Sequence, residues 1–223
     1  MPLPSNNALA ALALGSLAAC LGVVACDTAP AHEAHALPIL GNREVGPDGD
    51  TLYHRVGDWA FYRQDSARVT EDMLEGTPYV VDFFFTSCPT ICPRVTANML
   101  RVHDRFTGAG DAPLKLVSFT IDPKRDSVGH LANYAANLGV EGADDWWFLT
   151  GDKFQLYDIA DDYFSIAKED PDVPGGFDHS GRILLVDGRG RIRAYANGTD
   201  EQDVDRFMDD VAYFLAQRDD VGS

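Results

Sequence analysis

The sequence contains few cysteines. Four are present among 223 residues, and two of these, Cys20 and Cys26, belong to an apolar N-terminal segment. The other two, Cys88 and Cys92, are such close neighbours that a bond between them closes no loop of stabilising size. A disulfide-stapled scaffold is therefore excluded, and we expect the two thiols to be present for chemistry.

Basic residues are also scarce. Lys and Arg number 18 against 35 acidic residues, which gives a formal net charge of −17. Such a surface repels nucleic acid and anionic lipid headgroups, so both are disfavoured as partners, and a cation or a positively charged protein face is favoured. With 45% hydrophobic residues, the composition suits one well-packed globular domain with tails.

Charge is missing altogether from the first 26 residues. Residues 8–26 read ALAALALGSLAACLGVVAC, which is typical of an export signal rather than a core helix because no polar face interrupts it. Small residues precede both Cys20 and Cys26, as in a lipoprotein signal, although the usual Lys or Arg before the apolar run is absent. We predict a lipoprotein-type signal or anchor over 1–26. An uncleaved membrane anchor is the alternative, and either places the domain on the extracytoplasmic side of the cell envelope.

The next segment, 27–50, is rich in Ala, Pro, Gly and charge and has little periodicity. This composition predicts a flexible linker that holds the domain off the membrane. Its two histidines, His32 and His35, are interpreted as incidental rather than as a metal site. The folded domain is predicted over 51–218.

Within that domain, strand and helix patterns alternate. The apolar run 78–85 and the run 114–121 predict buried strands, and each is followed by a segment with helical periodicity. A strand at 146–149, a helix at 152–161, a hairpin at 182–195 and a last helix capped by Thr199 or Asp200 complete the pattern. This order predicts an α/β fold of the thioredoxin-like type, with a mixed central sheet and helices on both faces.

The cysteines lie where one of these strands ends. Cys88 leaves the strand and Cys92 enters the following helix, so helical spacing points both sulfurs toward one place. A helix N-terminus favours negative charge, and we therefore expect accessible thiolates. Pro93 suits the first turn of a helix because the N–H that it lacks has no partner there. Such a pair can form a disulfide or bind a soft metal.

A third group comes from far along the chain. An acidic, Pro- and Gly-rich loop at 168–177, expected to be mobile without metal, ends at His179, immediately before the predicted strand at 182. In a thioredoxin-like sheet that strand is the neighbour of the one leading to Cys88, so we expect His179 to face the cysteines. Two sulfurs and an imidazole suit copper(I), or copper(II) with an added ligand, whereas a structural zinc site keeps four protein ligands.

Three separated motifs resemble the Sco/SenC family over residues 51–217. They are Cys88-x-x-x-Cys92-Pro93, Asp122-Pro123 with Asp126, and Asp178-His179-Ser180. The resemblance implies a thioredoxin-like protein that binds copper through Cys88, Cys92 and His179. It also implies a part in assembling the binuclear CuA centre of cytochrome c oxidase subunit II. The role of the aspartates is less settled, and a helix cap is an alternative for Asp126. Gly181 and Arg182 depart from the bulkier apolar residues that relatives often carry.

Two other functions compete with copper binding. A thiol-disulfide oxidoreductase that keeps the oxidase cysteines reduced is compatible with the fold and the paired thiols. Against it, the spacing is Cys-x-x-x-Cys, and disulfide exchange does not need His179. A peroxidase is disfavoured because it uses one activated cysteine with a different supporting set. The donor of copper and its oxidation state in the cell are left open by the sequence.

Overall fold

The chain forms a seven-stranded sheet with helices packed on it. The structure is a computed structural model and describes residues 36–107, 114–142 and 144–221. In chain order the elements are β1 (Arg43–Val45), β2 (Thr51–Tyr53), β3 (Ala60–Arg63), β4 (Arg68–Thr70), a 3₁₀ helix (Glu71–Leu74), β5 (Tyr79–Phe84), α1 (Cys92–Phe106), β6 (Lys115–Thr120), α2 (Val128–Leu138), β7 (Trp146–Thr150), α3 (Lys153–Asp162), β8 (Ala167–Glu169), β9 (Phe177–His179), β10 (Arg182–Val186), β11 (Ile192–Asn197) and α4 (Glu201–Val221).

The main sheet is mixed, as the sequence predicts for a thioredoxin-like fold. Its strand order is β11-β10-β5-β6-β7-β3-β4. The central strands β5, β6 and β7 are parallel, while β10 and β11 on one side and β3 and β4 on the other are antiparallel to their neighbours. All six residues of β5 are buried, which is why this strand reads as a continuous apolar run.

Helices cover both faces of the sheet. Phe83 and Phe84 are adjacent in β5, so their side chains point to opposite faces. The Phe84 ring contacts Tyr134 of α2, and the Phe83 ring contacts Tyr163 at the end of α3. Ion pairs join Arg101 and Arg105 of α1 to acidic residues of α4. The helices α1, α2 and α4 therefore share one face, and α3 lies on the other.

Helix boundaries follow local capping chemistry. Asp152 accepts hydrogen bonds from the backbone N–H groups of Phe154 and Gln155, which begins α3. Asp200 does the same for the N–H groups of Gln202 and Asp203 at the start of α4. These caps satisfy helix N–H groups that lack intrahelical partners, and the predicted start of the last helix is confirmed.

The structured part begins before residue 51. One compact unit covers Ala36–Ser223. Within the predicted linker, β1 pairs with β2, and the backbone N–H of Leu40 donates to the carbonyl of Ile192 in β11. Periodicity could not show this segment because its three-residue strands expose every side chain. The predicted signal segment and residues 27–35 of the predicted linker lie outside the described residues.

The predicted loop at 168–177 contains more regular structure than its composition suggests. Its two ends form the short antiparallel pair β8 and β9, in which Ala167 lies opposite His179 and Glu169 opposite Phe177. Only 170–176 remains as the connecting loop. The histidine therefore comes from the end of a hairpin strand rather than from an irregular loop.

A candidate metal centre

The turn after β5 presents the first cysteine to the second. Cys88 N–H donates to the carbonyl of Phe85 at 3.2 Å, which closes a four-residue turn. Cys92 begins α1, and its backbone N–H donates to Cys88 Sγ at 3.4 Å. No side chain caps this helix in the usual way. The sulfur of Cys88 accepts one of the N–H groups that a helix start leaves without an intrahelical partner.

The sheet brings the histidine to the same point. β10 pairs with β5 in antiparallel register, and His179 lies just before β10. Its Nε2 is 3.4 Å from Cys92 Sγ and 3.7 Å from Cys88 Sγ. The structure thus brings together the three residues selected from the sequence; their role as ligands stays a prediction.

The donor set has dimensions suited to an ion. One donor atom from each of the three residues lies within 4.8 Å of the others, and no second such cluster of His, Cys, Asp or Glu occurs in the described residues. Typical bond lengths to a first-row ion place a shared sulfur and nitrogen about 3.6–3.8 Å apart. The observed distances of 3.4 and 3.7 Å match this range to within about 0.2 Å. Both cysteines are free thiols.

The two thiols have different acidities. Burial raises the pKa of Cys88, but hydrogen bonds from Cys92 and from the backbone and side chain of Thr90 outweigh it, so its pKa lies below the ordinary value. Burial raises the pKa of Cys92 well above its ordinary value, and the neighbouring Cys88 adds to this effect. The expectation of accessible thiolates holds for Cys88 and is wrong for Cys92 in the metal-free protein. The helix start cannot offset the burial of the second sulfur.

The histidine is held in its neutral form. Burial lowers the pKa of His179, and the adjacent carboxylate of Asp178 only partly opposes this. Neutral imidazole is the form that binds metals. Since Nε2 faces the sulfurs, the ring proton of a metal-bound His179 belongs on Nδ1, which is buried and has no hydrogen-bond partner among the described residues.

Aromatic residues surround the site on one side, and a cleft opens on the other. The ring of Phe85 contacts His179 edge to face at a centroid distance of 5.5 Å and contacts Phe177 at 5.0 Å. A largely apolar cleft of about 320 Å³ reaches Cys88 and Cys92 between α1 and α2. An incoming group can therefore approach the sulfurs from this cleft.

The loop 170–176 packs directly over the aromatic wall. Gly175 has a φ of +91°, and a Cβ atom at this position would lie 2.9 Å from Cζ of Phe85 and 3.0 Å from Cδ of Pro89. Only a glycine permits both this backbone conformation and this close approach. The loop thereby covers the turn that carries Cys88.

Asp126 is not the helix cap that the sequence suggested as an alternative. The residue at the start of α2 is Ser127, and no side chain caps that helix. Asp126 is fully buried and instead accepts hydrogen bonds from Thr86 and Thr120. Thr86 was missed by the sequence analysis. Its position two residues before Cys88 was the available signal.

The described part of the chain contains no helix that is both long and apolar enough to cross a bilayer. The cysteines proposed for lipidation, Cys20 and Cys26, lie outside that part.

Comparison with known proteins gives consistent results. The SCO1 protein homolog of Bacillus subtilis (strain 168) is 30% identical over 163 residues, which make up 73% of this chain and 83% of the relative. The crystal structure of Arabidopsis thaliana ScoI with copper bound is similar over 72% of this chain and 98% of that chain, with a TM-score of 0.60 and 25% identity. BsSco is described as having a disulfide switch and as a member of the Sco family of cytochrome c oxidase assembly proteins. It matches over 72% of this chain and 93% of its own, with a TM-score of 0.62 and 29% identity.

The match to the family as a whole spans residues 48–215, from the turn between β1 and β2 to the last third of α4. It includes the cysteine pair, the two aspartates and the histidine described above. With three quarters of the sequence matched and the sheet, helices and clustered side chains in agreement, this chain belongs to the SCO1/SenC family.

Proposed function

We propose that this protein is an extracytoplasmic copper-binding protein that holds copper through Cys88, Cys92 and His179. The observation that carries the proposal is the convergence of three soft or borderline donors within 4.8 Å of one another. Thiolate and imidazole ligands select copper and zinc over hard ions, and a cluster of three with no fourth such donor among the described residues suits copper(I). The copper-bound Arabidopsis relative supports this choice of metal.

The thiol acidities determine how the site responds to the ion. Cys88 supplies a thiolate readily, while Cys92 must release a proton as copper binds. His179 is already neutral and needs no proton transfer. Copper binding therefore releases a proton from Cys92 and favours neutral to alkaline pH.

The role of bound copper is delivery. We assign the protein to the assembly of cytochrome c oxidase, with subunit II and its CuA site as the recipient. The support is family membership together with the role given for BsSco. The cleft between α1 and α2 gives a recipient access to the sulfurs.

The experiment is a count of bound copper per chain after loading and desalting. The variants are Cys88→Ser, Cys92→Ser and His179→Ala, with His130→Ala as the matched control because His130 is exposed on α2. Wild type and the control should retain stoichiometric copper, and each cysteine variant should lose most of it. Full retention in both cysteine variants would refute the proposal.

A second function, thiol-disulfide exchange, is favoured by the difference in acidity between the two thiols. A thiolate at Cys88 can attack a disulfide of the target and form a mixed disulfide. Cys92 can then attack the Cys88 sulfur, which forms the Cys88–Cys92 disulfide and releases the target with both of its thiols reduced. The disulfide switch described for BsSco supports the same chemistry. Assaying the His179→Ala variant for reduction of an oxidised subunit II peptide distinguishes the functions, because exchange does not need the imidazole, whereas copper(II) binding should weaken without it.

We propose that the protein is anchored by a lipid on Cys20 or Cys26, with the domain on the extracytoplasmic side. The apolar run 8–26 and the small residues before each cysteine support this arrangement. Mass spectrometry of the N-terminal peptide from membranes tests it. A diacylglyceryl group on either cysteine supports the proposal, and an unmodified intact N-terminus indicates an uncleaved anchor instead.

A further inference from the structure

The buried carboxylate of Asp126 joins the ends of two central strands. Its Oδ1 accepts the hydroxyl of Thr86 at 2.5 Å, and its Oδ2 accepts both the backbone N–H of Thr86 at 3.1 Å and the hydroxyl of Thr120 at 2.6 Å. Thr86 follows β5, and Thr120 ends β6. Three donors on one fully buried acid form a rigid arrangement, because charge-assisted hydrogen bonds are short and strong.

The aspartate reaches this position because the preceding segment turns back on itself. The N–H of Asp122 donates to the hydroxyl of Thr120, and the backbone N–H groups of Arg125 and Asp126 donate to the carbonyl of Asp122. The turn after β6 therefore points the Asp126 carboxylate toward β5 instead of toward the start of α2. This geometry accounts for the aspartate at position 126, whereas Asp122 takes part in the turn through its backbone.

Thr86 is part of the turn that holds both sulfurs. The turn is closed by the bond from Cys88 N–H to the Phe85 carbonyl, with Thr86 as its second residue. Beyond this turn, the backbone N–H of Cys92 donates to the Cys88 sulfur at 3.4 Å. A shift of Thr86 would therefore move the Cys88 sulfur relative to Cys92 and the start of α1.

We infer that Asp126 is a positioning residue for the metal centre, acting through Thr86 to set the distance and direction of the two sulfurs. The inference deepens the proposed copper-binding function and rests on it for the identity of the metal. Outer-shell hydrogen bonds of this kind commonly change metal affinity about 10- to 100-fold when they are removed. A purely structural role would instead affect stability alone.

The two threonines provide matched variants that separate these roles. Thr86→Val removes the hydroxyl on the cysteine side of Asp126, and Thr120→Val removes the one on the β6 side. Asp126→Asn weakens both. In the full chain, four properties are compared with wild type. They are the melting temperature, the affinity for copper(II), the electron paramagnetic resonance spectrum of bound copper(II), and the equilibrium constant for forming the Cys88–Cys92 disulfide against glutathione.

We expect Thr86→Val and Asp126→Asn to lower copper affinity about tenfold or more, to alter the spectrum, and to shift the disulfide constant. Thr120→Val should lower the melting temperature and leave the other quantities within about twofold of wild type. The inference is overturned if Thr86→Val resembles Thr120→Val, whether both are silent at the site or both perturb it equally. If Asp126→Asn does not fold, this comparison of the two threonines decides the question.

The disulfide constant keeps this inference distinct from the copper proposal. If the wild-type protein binds no copper, the proposed function is refuted. The effect of Thr86→Val on the disulfide constant would still show whether the sulfurs are positioned through Asp126. If the wild-type protein binds copper, but Thr86→Val leaves both the copper affinity and the disulfide constant unchanged, only the inference about Asp126 is refuted.

Discussion

Asp82 is a buried carboxyl group whose titration should make the stability of the domain depend on pH. It lies in β5, is fully enclosed, and accepts one hydrogen bond, from the hydroxyl of Ser118 at 2.5 Å. Burial raises its pKa from 3.8 to about 7, and the bond from Ser118 only partly offsets the effect. The folded protein therefore holds this proton more tightly than the unfolded chain does.

The sign and size of the effect follow from linkage. Because the folded-state pKa is raised, the contribution of Asp82 to the free energy of unfolding is highest below about pH 4 and falls as pH rises through 7. A difference of about three between the two pKa values corresponds to about 4 kcal/mol in total, of which about 2.5 kcal/mol is lost between pH 5 and pH 8. Asp82→Asn keeps an oxygen for Ser118 and removes the charge.

The assay is urea unfolding of wild type and Asp82→Asn at pH 5 and pH 8. The stability of the variant relative to wild type should rise by about 2.5 kcal/mol from the lower to the higher pH. Asp187→Asn is a control without a pH response in this window, since bonds from Arg191 outweigh burial and lower the pKa of Asp187, so that its contribution changes only at more acidic pH. A relative stability of Asp82→Asn that is the same at both pH values would refute the reasoning.

Three further outcomes concern the metal site. Gly175→Ala should speed copper loss to a chelator because its Cβ would collide with Phe85. Gly176→Ala is the control, since that residue also has a left-handed backbone but a Cβ there would meet no atom within 4 Å. Equal rates of copper loss in the two variants would contradict the steric argument. His179→Ala should weaken copper(II) more than copper(I), since two thiolates suffice for the reduced ion, and competition titrations in each oxidation state test this. Copper should slow amide exchange across 168–180, and unchanged protection would contradict metal-dependent ordering of this hairpin.

The thiol pair shows which features of the site local sequence patterns can predict. The strand pattern before Cys88 and the helical pattern after Cys92 were enough to place both sulfurs at a strand-to-helix junction. The same pattern could not show that Cys92 is buried deeply enough to keep its proton, because burial depends on what packs over the helix start. The direction of the pKa shift was therefore predicted correctly for Cys88 and wrongly for Cys92.

The aspartate segment gives a second example. Because Asp126 precedes a helical pattern, its local sequence allows the interpretation of a helix cap, and such local signals cover only a few residues. In the fold its carboxylate bonds to Thr86, 40 residues earlier in the chain. Local patterns also failed to predict β1 and β2, because strands of three residues are too short to show a periodic pattern.

By itself the sequence determined the order of the longer strands and helices, the placement of the cysteines and the acidic character of the surface, because these depend on periodicity, spacing and composition. The tertiary structure decided which distant groups meet. The pairing of β10 with β5 brings His179 to the sulfurs across 87 residues of chain, and the turn after β6 brings Asp126 to Thr86. Contacts of this kind depend on sheet register and close packing, which no local pattern encodes.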